Sequence, residues 1–171
     1  MNRSLAAVLA IAACVMFTAC NEDSPTSPSD TVKLTAQLAP ANEVPPIANA
    51  ESAGSGSVTI TMHLTRDGAG TITAATADFD VSLTGFPVNT PLTMAHIHTG
   101  GVGVSGAILV NTGLSSGEVT LSTGAGSFTK TGVSIAAATA KDILATPSQF
   151  YFNVHTVLNP AGVARGQLTA S

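Results

Sequence analysis

The sequence predicts an all-β fold, an antiparallel sandwich or Greek-key barrel of about eight or nine short strands with at most one short helix. Three observations predict it. Apolar and polar residues alternate in short runs, as in Val58, Ile60, Met62 and Leu64 against Thr59, Thr61 and His63, the period of an extended chain with one buried face. Clusters of Gly, Pro, Asn and Ser separate these runs, as turns require. Charged residues make up only 9% and aromatics 4% of the chain, a composition that suits strands and tight turns better than amphipathic helices.

The chain has 171 residues, of which 44% are hydrophobic, enough for one core and one domain. Its formal net charge is −4 and its six basic residues are scattered. No cationic stripe is available for phosphates, and with no Trp and one Tyr there is little surface for stacking bases, so nucleic acid is not expected as a partner.

Taken in order, residues 1–19 read as a secretory leader: Arg3, an apolar run from Leu5 to Phe17, then Thr18 and Ala19 before Cys20. The run is short for a membrane span. Phe17-Thr18-Ala19-Cys20 resembles the bacterial lipobox, with Cys20 as the lipidated residue. The polar, proline-bearing segment 20–30 is expected to be a linker holding the domain 31–171 off a membrane. These features imply export and a lipid anchor in the cell envelope, possible sites being an outer membrane or the cell surface. Both cysteines, Cys14 and Cys20, precede the domain, which therefore has no thiol for a disulfide, a thiolate metal site or a nucleophile.

The first strand is expected at 31–39, ended by Pro40. A hairpin follows, with arms at 58–64 and 71–83 joined through Arg66-Asp67-Gly68-Ala69-Gly70. In its second arm Phe79, Val81 and Leu83 face the core, while Asp78, Asp80 and Ser82 face solvent. Further strands are expected at 93–99, 106–111, 117–121, 126–130, 149–156 and 163–169, with the one helix within 134–145 before Pro147.

Chemistry concentrates in two segments. In Met94-Ala95-His96-Ile97-His98-Thr99-Gly100, His96 and His98 project from one face and Ala95 and Ile97 from the other. In Phe150-Tyr151-Phe152-Asn153-Val154-His155, the residues Tyr151, Asn153 and His155 share a face. If the two strands adjoin, His96, His98 and His155 form a cluster suited to zinc or copper. The competing reading of these imidazoles is structural, as donors to backbone carbonyls. His63 is expected to be simply exposed, and Asp78 and Asp80 to be solubilising.

These segments, together with Glu43-Val44-Pro45-Pro46, the spaced glycines Gly100, Gly103 and Gly106, and Asn153-Val154-His155 followed by Arg165-Gly166-Gln167, resemble the CHRD (chordin) domain family over about residues 32–170. The sequence departs from that pattern at Val163, where an acidic residue commonly follows the glycine. The resemblance implies an extracellular β domain without a known reaction in bacterial members. On this basis the chain is expected to be a non-enzymatic, lipid-anchored binding or structural module that meets the membrane through Cys20 and faces an extracellular protein or glycan partner. The alternative is an exported metal protein, its cofactor zinc or copper, held by His96, His98 and His155. His-x-His before a glycine-rich loop also resembles copper–zinc superoxide dismutase, although the whole chain has only four histidines. No Gly-x-Ser-x-Gly elbow, phosphate loop or dinucleotide fingerprint is present. A contact between Arg165 and Glu43 is expected to tie the first motif to the last.

Overall fold

A computed structural model describes residues 29–171. The leader at 1–19, Cys20 and the linker up to residue 28 lie outside the described residues. The linker expected to reach residue 30 stops earlier, because Ser29 and Asp30 already pair with Thr65 and Leu64.

The described residues form ten strands and one α-helix. In chain order they are β1 (Ser29–Leu38), β2 (Ser55–Arg66), β3 (Ile72–Thr84), β4 (Thr90–Thr99), β5 (Ile108–Asn111), β6 (Thr120–Leu121), β7 (Gly126–Ile135), α1 (Ala137–Ala145), β8 (Phe150–Thr156), β9 (Ala164–Gln167) and β10 (Thr169–Ala170). One antiparallel sheet runs β10-β1-β2-β3-β7, and the other runs β5-β4-β8-β9, with β6 beside β4. This is the expected sandwich, its sheets open rather than closed into a barrel. Among the described residues no helix is long and apolar enough to cross a membrane.

The hairpin of β2 and β3 turns where the sequence places it. Asp67 Oδ1 accepts from the amides of Ala69 and Thr71 at 3.0 and 2.8 Å, and Gly70 takes the left-handed φ of 80° that such a turn needs. Alternation then delivers Ile60, Met62 and Leu64 from β2, and Phe79, Val81 and Leu83 from β3, to one buried face. The opposing sheet supplies Leu92, Ala95, Ile97, Phe152 and Val154. Phe79 and Phe152 join the two layers, with ring centroids 5.9 Å apart.

Several boundaries differ from expectation. The strand expected at 126–130 continues to Ile135, pairing Val133, Ser134 and Ile135 with β3, so α1 starts only at Ala137. The C-terminal strand divides at Leu168, which is buried, and Thr169 leaves to pair with Thr35 in the other sheet. His63 is not free: its Nε2 lies 2.8 Å from Asp78 Oδ2. Asp78 also accepts from the Gly132 amide at 2.8 Å and stands beside a register shift between Ala77 and Phe79, so part of its role is to hold β7.

A second register shift positions the histidines. Between Leu92 and Met94 the pairing of β4 with β8 slips by one residue at Thr93. A strand without the slip would put Leu92, Met94, His96 and His98 on one face. The bulge rephases it, so Leu92 enters the core together with Ala95 and Ile97, and the two imidazoles point away from that core.

Candidate functional site

β4 and β8 are adjacent and antiparallel, with His96 opposite Asn153, His98 opposite Tyr151 and Met94 opposite His155. His155 is therefore a diagonal neighbour of His96 on the same face. The three imidazoles do converge: one ring nitrogen from each lies within 4.8 Å of the other two. His96 and His155 approach most closely, Nδ1 to Nε2 at 3.1 Å.

This face of the sheet is not open. His96, His98 and His155 are 1%, 7% and 4% exposed, because three connecting segments fold over it. The loop 100–107 covers His98, whose Nδ1 lies 3.0 Å from the Gly106 carbonyl. The turn 157–163 covers His155, whose Nδ1 lies 3.0 Å from the Pro160 carbonyl. The segment 40–49 carries Glu43 to the same region, where it is buried.

Carbonyls only accept, so Nδ1 of His98 and of His155 must each carry a hydrogen. In the neutral rings Nε2 is then a lone pair. His98 Nε2 is sealed from solvent and makes no well-formed hydrogen bond among the described residues, the Asn153 side chain being its polar neighbour. His155 Nε2 faces both His96 Nδ1 and the side-chain oxygen of Asn153, each at 3.1 Å. His96 has one proton to offer, so lone pairs outnumber donors here. Burial pushes all three imidazoles towards the neutral form, His96 down to about 4, and His98 and His155 in the same direction.

Arg165 and Gln167 hold the cover in place. Arg165 is 1% exposed and its Nη2 donates to the Gly101 carbonyl at 2.7 Å and to Gln167 Oε1 at 3.0 Å. Gln167 Nε2 donates to Gly100 and Ser148 at 3.0 and 2.9 Å. The guanidinium carbon sits 3.5 Å from the centroid of Tyr151, and Tyr151 stacks on His98 at 4.8 Å. Cation, phenol and imidazole therefore form one column. Gly166 and Gly106 permit close crossings: a Cβ on either would collide with a backbone carbonyl, that of Gln37 or of Thr99. Gly100 and Gly103 take positive φ in the covering loop, and Pro45 and Pro46 are exposed where they line a cavity beside Glu43.

The expected contact between Arg165 and Glu43 does not form. Among the described residues the ion pairs are His63 with Asp78, Arg66 with Asp30, and Lys130 with Glu118. The donors of Arg165 are turned to the glycine loop instead. What links the first motif to the last is a backbone exchange and one amide side chain: Ala39 and Arg165 exchange amide hydrogen bonds at 3.1 and 3.2 Å, and Asn42 Nδ2 donates to the Arg165 carbonyl at 3.0 Å. Glu43 is pushed up to about 7 by burial, against the opposing charge of Arg165 and the favourable dipole of the neighbouring Asn153 amide.

Two features of the site have roles that the sequence does not reveal. Gly162 is required by packing, since a Cβ there would lie 2.6 Å from Asn153 Nδ2 and 2.7 Å from Glu43 Oε1. The turn over His155 is pinned by buried Glu51, which accepts from Thr156 Oγ1 at 2.6 Å and Asn159 Nδ2 at 2.5 Å. Glu51 lies more than a hundred positions from these partners, so no local pattern announces it.

The fold and site thus define an antiparallel β-sandwich with one dry core and one buried polar cluster. The sequence model of the CHRD domain matches residues 34–168. The chain belongs to the CHRD domain family, a membership that suggests a binding or structural module. Comparison with the curated proteins and with the solved structures gave no match.

Proposed function

We propose that this chain is an exported, envelope-tethered CHRD module that binds one zinc or copper ion through His96, His98 and His155. The observation that carries the reading is the convergence of three buried ring nitrogens within 4.8 Å of one another, of which His98 Nε2 is sealed from solvent and makes no well-formed hydrogen bond among the described residues. A buried acceptor without a donor costs about 1–3 kcal/mol, and a bound cation removes that cost. The surroundings support it as well, because metal-ligating histidines commonly donate their other ring N–H to a carbonyl, as His98 and His155 do to Gly106 and Pro160. Imidazole nitrogens around a late first-row ion suit zinc and copper. At zinc–nitrogen distances of about 2.0–2.1 Å the ligand atoms stand ~3.3 Å apart, so the widest pair of the trio closes inward on binding.

The leader, Cys20 and the polar linker support display from an envelope membrane towards an extracellular protein or glycan, with the metal bracing the face that the loops cover. The reading assigns no catalysis. Titration of the metal-free, detergent-solubilised full chain with zinc and with copper tests it. Saturation at one ion per chain is expected, with at least tenfold weaker binding in His98→Ala. Equal binding in the variant, or none in the wild type, would rule the site out.

A further inference from the structure

An ion destined for the histidine trio has to cross the cover. Two open cavities, of about 520 and 330 Å³, flank that cover, and Glu43, Val44 and Pro46 line both. The larger also has Arg165 in its wall, a fixed positive charge that repels a cation. The smaller lies between the 43–49 segment and the turn 158–162 and has no basic residue in its lining. Glu43 is its one acidic residue.

Glu43 stands between this cavity and the cluster. Its Oε1 is sealed from solvent and makes no hydrogen bond among the described residues. The site of a Cβ on Gly162 is 2.7 and 2.9 Å from the two Glu43 oxygens and 2.6 Å from Asn153 Nδ2, so carboxylate and amide crowd the same point. The Asn153 oxygen is in turn 3.1 Å from His155 Nε2. A sequence of oxygen ligands therefore leads from the cavity to the first imidazole. A hydrated cation loses its waters stepwise, and a carboxyl oxygen that gives up its proton to the released water as the cation arrives is a suitable first replacement before nitrogen ligands take over.

We infer that the metal ion reaches the trio through the 330 Å³ cavity, with Glu43 as its transient ligand on the way. The inference rests on the metal reading above and adds to it a path and a residue outside the final ligand set.

Loading kinetics test it on the metal-free full chain, mixed rapidly with zinc chloride and followed by loss of the zinc complex of a chromophoric indicator. Glu43→Gln is expected to load about tenfold more slowly, the smaller end of the rate gain that a charge-lined cleft provides, while still reaching the wild-type stoichiometry. Ala161→Phe, at the exposed rim of the smaller cavity, is expected to slow loading, and Val102→Phe, at the rim of the larger, to leave it unchanged. Equal rates in Glu43→Gln and wild type would overturn the inference alone. Lost stoichiometry in Glu43→Gln would make Glu43 a permanent ligand and overturn its transient role, and slowing by Val102→Phe but not Ala161→Phe would overturn the path. A wild type that takes up no zinc would overturn the metal reading, and the path with it.

Discussion

The two sheets of the sandwich treat their outer faces differently. On β2 and β3 the outer residues Thr59, Thr61, Asp80 and Ser82 reach solvent, and the strands follow the simple rule of one wet and one dry face. On β4 and β8 the outer residues His96, His98, Tyr151, Asn153 and His155 are as buried as the core. The same alternation thus produces a solvated surface in one sheet and a second, polar interior in the other. The difference lies in the connections: the segments 40–49, 100–107 and 157–163 fold over the second sheet, held by Arg165, Gln167 and Glu51. A polar interior must satisfy its hydrogen bonds internally, and the unpaired atoms left in this one mark the site.

The largest effect should come from the face the sheets share. Phe152→Ala opens a cavity between the layers beside Phe79 and is expected to cost about 3–5 kcal/mol, measured by urea unfolding. Arg165→Ala attacks the polar interior instead. It removes the bonds to Gly101 and Gln167 and the cation over Tyr151, with an expected loss of about 3 kcal/mol. Hydrogen exchange should distinguish the two variants. Arg165→Ala should selectively expose the amides of the 100–107 loop, including that of Gly106, which donates to Tyr151; Phe152→Ala should loosen both sheets together.

Acid sharpens the comparison, because it acts on the polar interior. His96 falls from 6.5 to about 4 on folding, so between these values the unfolded chain holds the extra proton. Its contribution to stability is complete above pH 6.5 and is lost as pH falls towards 4. His98 and His155 act in the same direction. Glu43 acts in the opposite one: raised from 4.5 to about 7, it stabilises the fold below pH 4.5 and loses that contribution as pH rises to 7. Glu43→Gln should therefore steepen the rise of stability with pH between 4.5 and 7. A metal-free melting series in both proteins measures this, and parallel curves would contradict it. The smallest effect belongs to the open face of the first sheet, where Ser82→Ala should change stability by less than about 0.5 kcal/mol.

The same contrast explains what the sequence disclosed. The β2–β3 hairpin is legible because Asp67, Gly70 and the alternation about them act locally. The convergence of His96, His98 and His155 is legible as a condition, since i and i+2 share a face, and adjacency of β4 and β8 satisfies it. The bulge at Thr93 is not legible, because it is a mismatch between two strands more than fifty residues apart. Nor is the burial of the histidine face, since His, Asn and Tyr on alternate positions describe a wet surface and a polar interior equally well. The contact of Arg165 with Glu43 failed as an expectation for a related reason. An arginine and a carboxylate in one family pattern suggest a pair, yet Arg165 spends its donors on the carbonyl of a glycine loop whose path depends on the whole fold.

The most direct test of the central claim is elemental analysis of the full chain as purified, beside a His96→Ala/His98→Ala double variant, after controlled reloading of both with zinc and with copper. Near one equivalent of zinc or copper in the wild type, lost in a double variant that remains folded, is the result the account predicts. A folded wild type that retains no metal after reloading would contradict it and leave the trio a structural element of the covered face.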